Sequence, residues 1–242
     1  MKLTILAVLC CGASAATAAP APTVTVEPAG LKELQRTIDA YRALGDFSVA
    51  SIDVVVQKPP SKFQEFEAGV ERVVSKGRFG SDGRRAISVS ISEKGRDVPY
   101  KFNRIYDGKN IIQSYNGAER RQFSAINPAT KANSLDWFFL RSPGMEVIAK
   151  VVAAETSQQF INGDAPEIKV RSLGNGASVV ELNYKKSDDF SSYTLGKEGF
   201  LERFEYRAKG STFSIASIFS RPLPLTIAKP FDWESFVPSN PQ

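Results

Sequence analysis

Apolar residues recur along this chain with two periods, and the places where the period changes mark its elements. Leu31, Leu34, Ile38, Tyr41 and Leu44 are spaced by three and four, which predicts an amphipathic helix. Lys32, Glu33, Arg36 and Asp39 occupy its opposite side, and Gly45 is placed to end it. From Val49 the period falls to two. Ala50, Ile52, Val54 and Val56 make a wholly apolar face, while Val49, Ser51, Asp53 and Val55 make a mixed one. Pro59-Pro60 ends this strand. Phe63, Phe66, Val70, Val73 and Val74 fit a helix, but Val70 to Phe79 also fits a strand, which is the preferred reading. After the Ser81-Asp82-Gly83 turn, Ile87, Val89 and Ile91 alternate with Ser88, Ser90 and Ser92. Beyond Lys94-Gly95, Tyr100, Phe102 and Tyr106 share the next strand face, and Asp107-Gly108 and Asn116-Gly117 predict tight hairpin turns.

The middle of the chain returns to helical spacing. Ser134 is placed to cap a short helix with Leu135, Trp137, Phe138, Phe139 and Leu140, more apolar than one buried face requires. Ser142-Pro143 opens a second helix whose stripe is Met145, Ile148, Val151 and Val152. Strands resume over 168–171, 179–184, 193–195, 200–206 and 212–219. Val180, Leu182 and Tyr184 share one face, as do Phe200, Phe204 and Tyr206, and likewise Phe213 and Ile215. Prolines and Phe231-Asp232-Trp233 follow, aromatics suited to pinning the tail to the body. A helix, a meander, a helical insertion and a second meander predict an α+β fold. Its centre is a strongly curved antiparallel sheet covered on one face, whose roughly ten strands have to curl or close.

Composition narrows the chemistry. Lys2 followed by a short apolar run and Ala13-Ser14-Ala15 reads as an export signal over 1–15, too short to span a bilayer as a helix. Ala16-Thr17-Ala18 offers a second cut a few residues on, and a bulky Leu9 before Cys10 argues against lipidation there. Residues 16–29, rich in Ala and Pro, are expected to form a flexible arm, and 30–242 a single domain. The expected product is soluble and periplasmic. It has no histidine, and its two cysteines, Cys10 and Cys11, both lie in the leader. No disulfide, metal site or cofactor is therefore expected. Catalysis would have to rest on carboxylate, serine, lysine or a carboxylate-bound metal. Asp188-Asp189, the adjacent acidic pair, reads as part of a polar turn, and neither a Gly-x-Ser-x-Gly elbow nor a phosphate-binding glycine loop occurs. No enzyme is expected. Cleavage would leave 30 basic residues against 26 acidic, a mild excess, and Arg84-Arg85 and Arg120-Arg121 read as solvated sheet edges. A nucleic-acid partner is not expected.

The order of elements resembles the LolA-like periplasmic lipoprotein carriers and their envelope relatives. The residues that carry the resemblance begin with the Leu34-x6-Tyr41 helix running into the Phe47-to-Val56 strand. They continue with Tyr106-Asp107-Gly108-Lys109 leading to Tyr115, the Trp137-to-Leu140 insertion and the Gly199-Phe200-Leu201 step. Phe231-x-Trp233 before Pro238 closes the set, so the likeness spans residues 31–238. It implies an incomplete barrel whose concave apolar face holds acyl chains beneath a helical lid. The carriers have a basic residue followed by proline on an early strand. Here that region reads Val74-Ser75-Lys76-Gly77-Arg78-Phe79, without proline, so the role is not carried to Lys76 or Arg78.

The candidate lipid-binding residues are Ile87, Val89, Ile91, Tyr100, Phe102, Trp137, Phe138, Leu140, Met145, Ile148, Val180, Leu182, Phe204, Phe213 and Ile215. A chain of about 16 carbons would gain roughly 0.8 kcal/mol per buried methylene before ordering costs. The expected partner is a lipid or lipidated protein, with a membrane-bound donor or acceptor left open, and the expected state is a monomer. The alternative is a non-enzymatic envelope interaction or sensor module with the same fold and a filled core.

Overall fold

The structure is a computed structural model that describes residues 27–57, 70–116, 121–124, 142–161, 166–184, 189–208 and 214–225. The predicted first helix is α1, Pro28–Ala43, with Leu34, Ile38 and Tyr41 buried along one stripe. It starts with proline in its first turn, so Pro28 and Ala29 belong to the helix rather than to the expected arm. The second helix, α2, is Pro143–Ala153, and its stripe of Met145, Ile148 and Val151 is buried as the spacing required. A one-turn α3, Ser157–Phe160, was not anticipated. Its signal was Thr156 and Gln159, which cap each other reciprocally.

Among the described residues, twelve antiparallel strands form one sheet. The first meander comprises β1 (Phe47–Gln57), β2 (Val70–Phe79), β3 (Arg85–Glu93), β4 (Tyr100–Tyr106), β5 (Asn110–Tyr115) and β6 (Arg121–Ser124). The second comprises β7 (Pro166–Gly174), β8 (Ala177–Tyr184), β9 (Phe190–Leu195), β10 (Leu201–Arg207), β11 (Ser214–Phe219) and the two-residue β12 (Leu223–Pro224). Their spatial order is β6-β5-β4-β3-β2-β1-β11-β10-β9-β8-β7, with β12 pairing the start of β1. The two meanders are thus joined by one long-range pairing, β1 with β11. Among the described residues β6 and β7 are unpaired edges, so the barrel is incomplete. This open antiparallel sheet with helices on one face is the incomplete-barrel arrangement expected of the chain.

The expected turns are present, with Gly83, Gly95, Gly108 and Asn116 at φ of 86°, 78°, 98° and 46°. A β-bulge between Leu201 and Arg203 reverses the alternation on β10, which is why Leu201 and Phe204 both point inward.

On β1 the structure chooses between the two faces. Phe47, Val49, Ser51 and Asp53 point into the concave side and are 1–4% exposed, whereas Val54 on the wholly apolar face is 39% exposed. The mixed face is therefore the inner one. The register enforces this choice: Ser51 lies opposite Ser75 and Phe219, and Asp53 opposite Val73 and Ser217, all residues of the inner surface.

The inner faces of β1–β5 and β7–β11 join α1 and α2 in one apolar cluster. A smaller cluster lies on the outer side, where Ala86 and Ile105 meet Ile112 and Leu225. α1 is also tied down by polar contacts. Glu33 accepts from Ser178 Oγ at 2.6 Å and pairs with Arg36, whose guanidinium donates to the Gly196 and Lys197 carbonyls. Burial alone would raise the Glu33 pKa, but these partners hold it below the ordinary value.

The face assignment is testable by two substitutions on one strand. Val49→Ser is expected to cost about 2–4 kcal/mol, because it leaves a gap and a hydroxyl among core residues. Val54→Ser is expected to change stability by no more than about 0.5 kcal/mol. Urea unfolding of both variants measures this, and equal losses would reverse the assignment.

Candidate functional site

Nine of the candidate residues lie together in the structure. Ile87, Val89 and Ile91 on β3, Phe102 on β4, Met145 and Ile148 on α2, Val180 and Leu182 on β8 and Phe204 on β10 belong to one buried cluster. Tyr100 is half-buried against it. Ile215, opposite Tyr206 and in register with β1, is half-buried on the same side of the sheet. Trp137, Phe138, Leu140 and Phe213 lie outside the described residues, as do the leader and Trp233. The clustered residues are 0–8% exposed, so along this stretch the inner face is covered rather than open.

The centre of that face is polar, and it is where α2 docks. Asp53 is 1% exposed, and its Oδ1 accepts the Gly144 backbone N–H at 3.1 Å. The nominal cap residue of α2, Ser142, makes no side-chain cap and instead donates its hydroxyl to Ser75 Oγ at 2.6 Å. A carboxylate from the sheet therefore takes over the capping of α2, near the positive end of the helix dipole. The approach requires glycine. A Cβ on Gly144 would lie 2.5 Å from Ser51 Oγ and 2.6 Å from Asp53 Oδ1. Gly77 on β2 makes room in the same way for Met145, whose sulfur would lie 2.7 Å from an added Cβ.

Burial pushes the Asp53 carboxyl up from 3.8 to about 6, outweighing the Gly144 N–H bond and the neighbouring Ser217 hydroxyl, which lower it. A carboxylate of that pKa among serine hydroxyls has the ingredients of acid–base chemistry. At 1% exposure beneath α2, however, no substrate atom reaches it. Among the described residues there is also no group of three or more acidic, histidine or cysteine side chains able to hold a metal. Asp189, half of the acidic pair, accepts a hydrogen bond from the Tyr206 hydroxyl at 3.1 Å, while Asp188 lies outside the described residues.

Space opens beside the C-terminal half of α2. A cavity of about 350 Å³ lies between the sheet and the two long helices, walled by Tyr41, Phe47, Phe79, Ala149 and Val152. Arg42, Arg84 and Arg85 also line it. The pairing of Arg84-Arg85 corrects the sequence reading. Arg84 is at the turn with Asp82, but Arg85 begins β3 on the inner face and stacks over the Tyr106 ring at 5.9 Å. Burial pulls its pKa below the ordinary arginine value. A second space of about 490 Å³, more polar, lies between α2, α3 and the Tyr184 and Tyr193 side chains. Both fall within the ~300–1,000 Å³ of small-molecule sites. The wall residues of the first were visible in the sequence only as ordinary core residues. Nothing local distinguishes a residue beside a void from one beside a neighbour.

No family model and no curated protein matches the chain. Among solved structures it is similar to LprF from Mycobacterium bovis, at 12% identity and a TM-score of 0.42, covering 84% of this chain and 98% of that one. It is also similar to the Mycobacterium tuberculosis lipoprotein LppX, at 12% identity and a TM-score of 0.41, covering 80% and 94%. A DUF1329 family protein from Desulfovibrio piger follows, at 11% identity and a TM-score of 0.33, covering 80% and 91%. At these scores the likeness transfers no substrate, partner or site residue to this chain.

The docking of α2 gives a prediction whose sign follows from linkage. Because the folded pKa of Asp53 is raised, the native chain holds a proton that the unfolded chain releases between about pH 4 and 6. Stability from this group is therefore complete at low pH and falls by roughly 2–4 kcal/mol as pH rises through 6. Asp53→Asn keeps an acceptor for the Gly144 N–H and removes that loss. It is expected to be more stable than the wild type at pH 7.5, with the gain vanishing near pH 4. Urea unfolding at both pH values decides it, and parallel pH profiles would refute the assignment.

Proposed function

We propose that this protein is a non-catalytic, exported holder of a lipid-like molecule in the bacterial envelope, taking an acyl chain along the seam between sheet and helices. The observation that supports this reading best is the 350 Å³ cavity beside α2, with an aromatic and aliphatic wall and arginines on its lining. Such a site suits an apolar tail with a polar or anionic end. The rest of the inner face is continuous with that wall through Phe47 and Phe79, which belong to the same apolar cluster as the candidate residues on β3, β4 and β8. The absence of histidine and of mature cysteine is in keeping with holding rather than converting a ligand. The partner in this reading is a lipid or a lipidated protein. Release to a membrane-bound acceptor is part of the proposal.

One observation favours the second reading, an interaction or sensor module with a filled interior. The candidate residues are 0–8% exposed, and α2 is fixed to the sheet at Asp53 and Ser75. In that case the cavity beside α2 is a packing remnant.

The two readings part on lipid content. Organic extraction of the purified protein followed by mass spectrometry is expected to recover co-purified lipid, and a fluorescent fatty acid should bind and be displaced by unlabelled ones. Val89 is 1% exposed, so a charge at that position would unfold the chain instead of reporting on cargo. The informative position is Ala149 on the cavity wall. Ala149→Trp is expected to weaken fatty-acid binding about tenfold or more by filling the space, a loss of at least ~1.4 kcal/mol. A lipid-free extract together with no probe binding would leave the interaction module as the function.

A further inference from the structure

The outer face of β1 and β11 carries a pattern that the interior does not explain. Cross-strand pairing places Ala50, Ile52 and Val54 of β1 beside Ala216 and Ile218 of β11, all on the convex side. Val54 is 39% exposed and Ile218 47%, and Leu223 of β12, opposite Ser48, continues the stripe at 62%. Cations flank it on both sides. On β2, Arg72 lies opposite Val54 and Lys76 opposite Ala50, both exposed. On β10, Arg203 lies opposite Ile218 and Arg207 opposite Ser214, also exposed. Glu205 is the acidic residue within this block, and Arg203 pairs with it. The backbone of both central strands is already bonded on each side, so the face offers no edge for strand addition.

We propose that this convex face docks on an anionic lipid bilayer, with Arg72, Lys76, Arg203 and Arg207 meeting headgroups and Val54, Ile218 and Leu223 meeting the acyl boundary. An apolar strip between two cationic rows is what a surface with negative charge outside and hydrocarbon beneath selects. It needs no pocket and no directional hydrogen bonds, and the stripe offers neither. A convex surface touches a plane through a few side chains, here the most exposed ones. An acidic protein would need a matching concave surface to make the same contacts. The inference does not depend on the interior holding cargo.

Vesicle flotation of the full chain tests it, with phosphatidylcholine vesicles against vesicles half of phosphatidylglycerol. The protein is expected to float with the anionic vesicles alone and to be released by added salt. Arg72→Glu with Lys76→Glu, at exposed positions that leave the fold intact, is expected to weaken partitioning at least about tenfold. Lys169→Glu with Arg171→Glu, an equal charge change on β7 far from the stripe, is expected to weaken it less than about threefold. Ile218→Ser is expected to weaken binding with no change in its salt dependence. Equal loss in the two charge variants would overturn the proposal, since net charge alone would then be the cause. Absence of flotation by the wild type would overturn it too. So would a concentration-dependent dimer in sedimentation that Ile218→Ser abolishes while vesicle binding persists. Ala149→Trp, which blocks the cavity, should float like the wild type, so failure of the cargo reading and failure of this one are separate results.

Discussion

Asp53 brings a carboxylate into the middle of the concave face, and α2 meets it with the backbone N–H of Gly144, whose lack of a side chain permits the contact. Ser142 and Ser75 close the same joint from the neighbouring strand. The position of α2 follows from this joint. So does the burial of Met145 and Ile148, and so does the choice of which face of β1 looks inward. The joint carries a cost, because burial pushes its carboxyl up to about 6. Buried polar groups of this kind contribute little to net stability but punish any other arrangement, since misdocking would leave the acid without its N–H. The helix is placed by specificity more than by strength.

A helix anchored at its N-terminus over a polar spot has consequences for what the interior can hold. The first turn of α2 is in close contact with Ser51, Asp53 and Gly77, while the spaces flank Ala149, Val152 and Ala153 further along. Room for a ligand therefore lies toward the C-terminal half of α2, where apolar packing without directional bonds holds the helix to the sheet. Apolar contacts yield to a similar apolar guest at small cost, and a hydrogen-bonded carboxylate joint does not. In the proposed lipid-holding role, the gradient from fixed to yielding along one helix would let a chain enter without unfolding the domain.

The sheet has two working surfaces that obey different rules. Inside, serines and one aspartate interrupt an apolar wall, and Ser75 and Asp53 find partners at the start of α2. Outside, an apolar strip is left in solvent between cations. The same eleven residues of β1 serve both, because alternate side chains point to opposite faces. The composition of each face is inverted relative to simple amphipathic expectation, and each inversion marks a place where something other than core formation has shaped the strand.

Much of this was legible in the chain. Helical spacing at Leu34, Ile38 and Tyr41, alternation at Ile87, Val89 and Ile91, and left-handed turns at Gly95, Gly108 and Asn116 are local properties, set by side-chain direction and backbone sterics within a few residues. Their order sufficed for an open antiparallel sheet with helices on one face. What the chain could not display was which side of β1 is inner. That depends on Ser75, which pairs with Ser51 from 24 residues away, on Ser217, which pairs with Asp53 from 164 away, and on Gly144, 91 residues from Asp53. The cavity is likewise a property of residues from α1, β1, β2, β3 and α2 failing to fill a common space. Periodicity thus determined the long elements and their order, because it is written residue by residue; tertiary pairing alone decided facing and void, because both are differences between surfaces that the sequence keeps far apart.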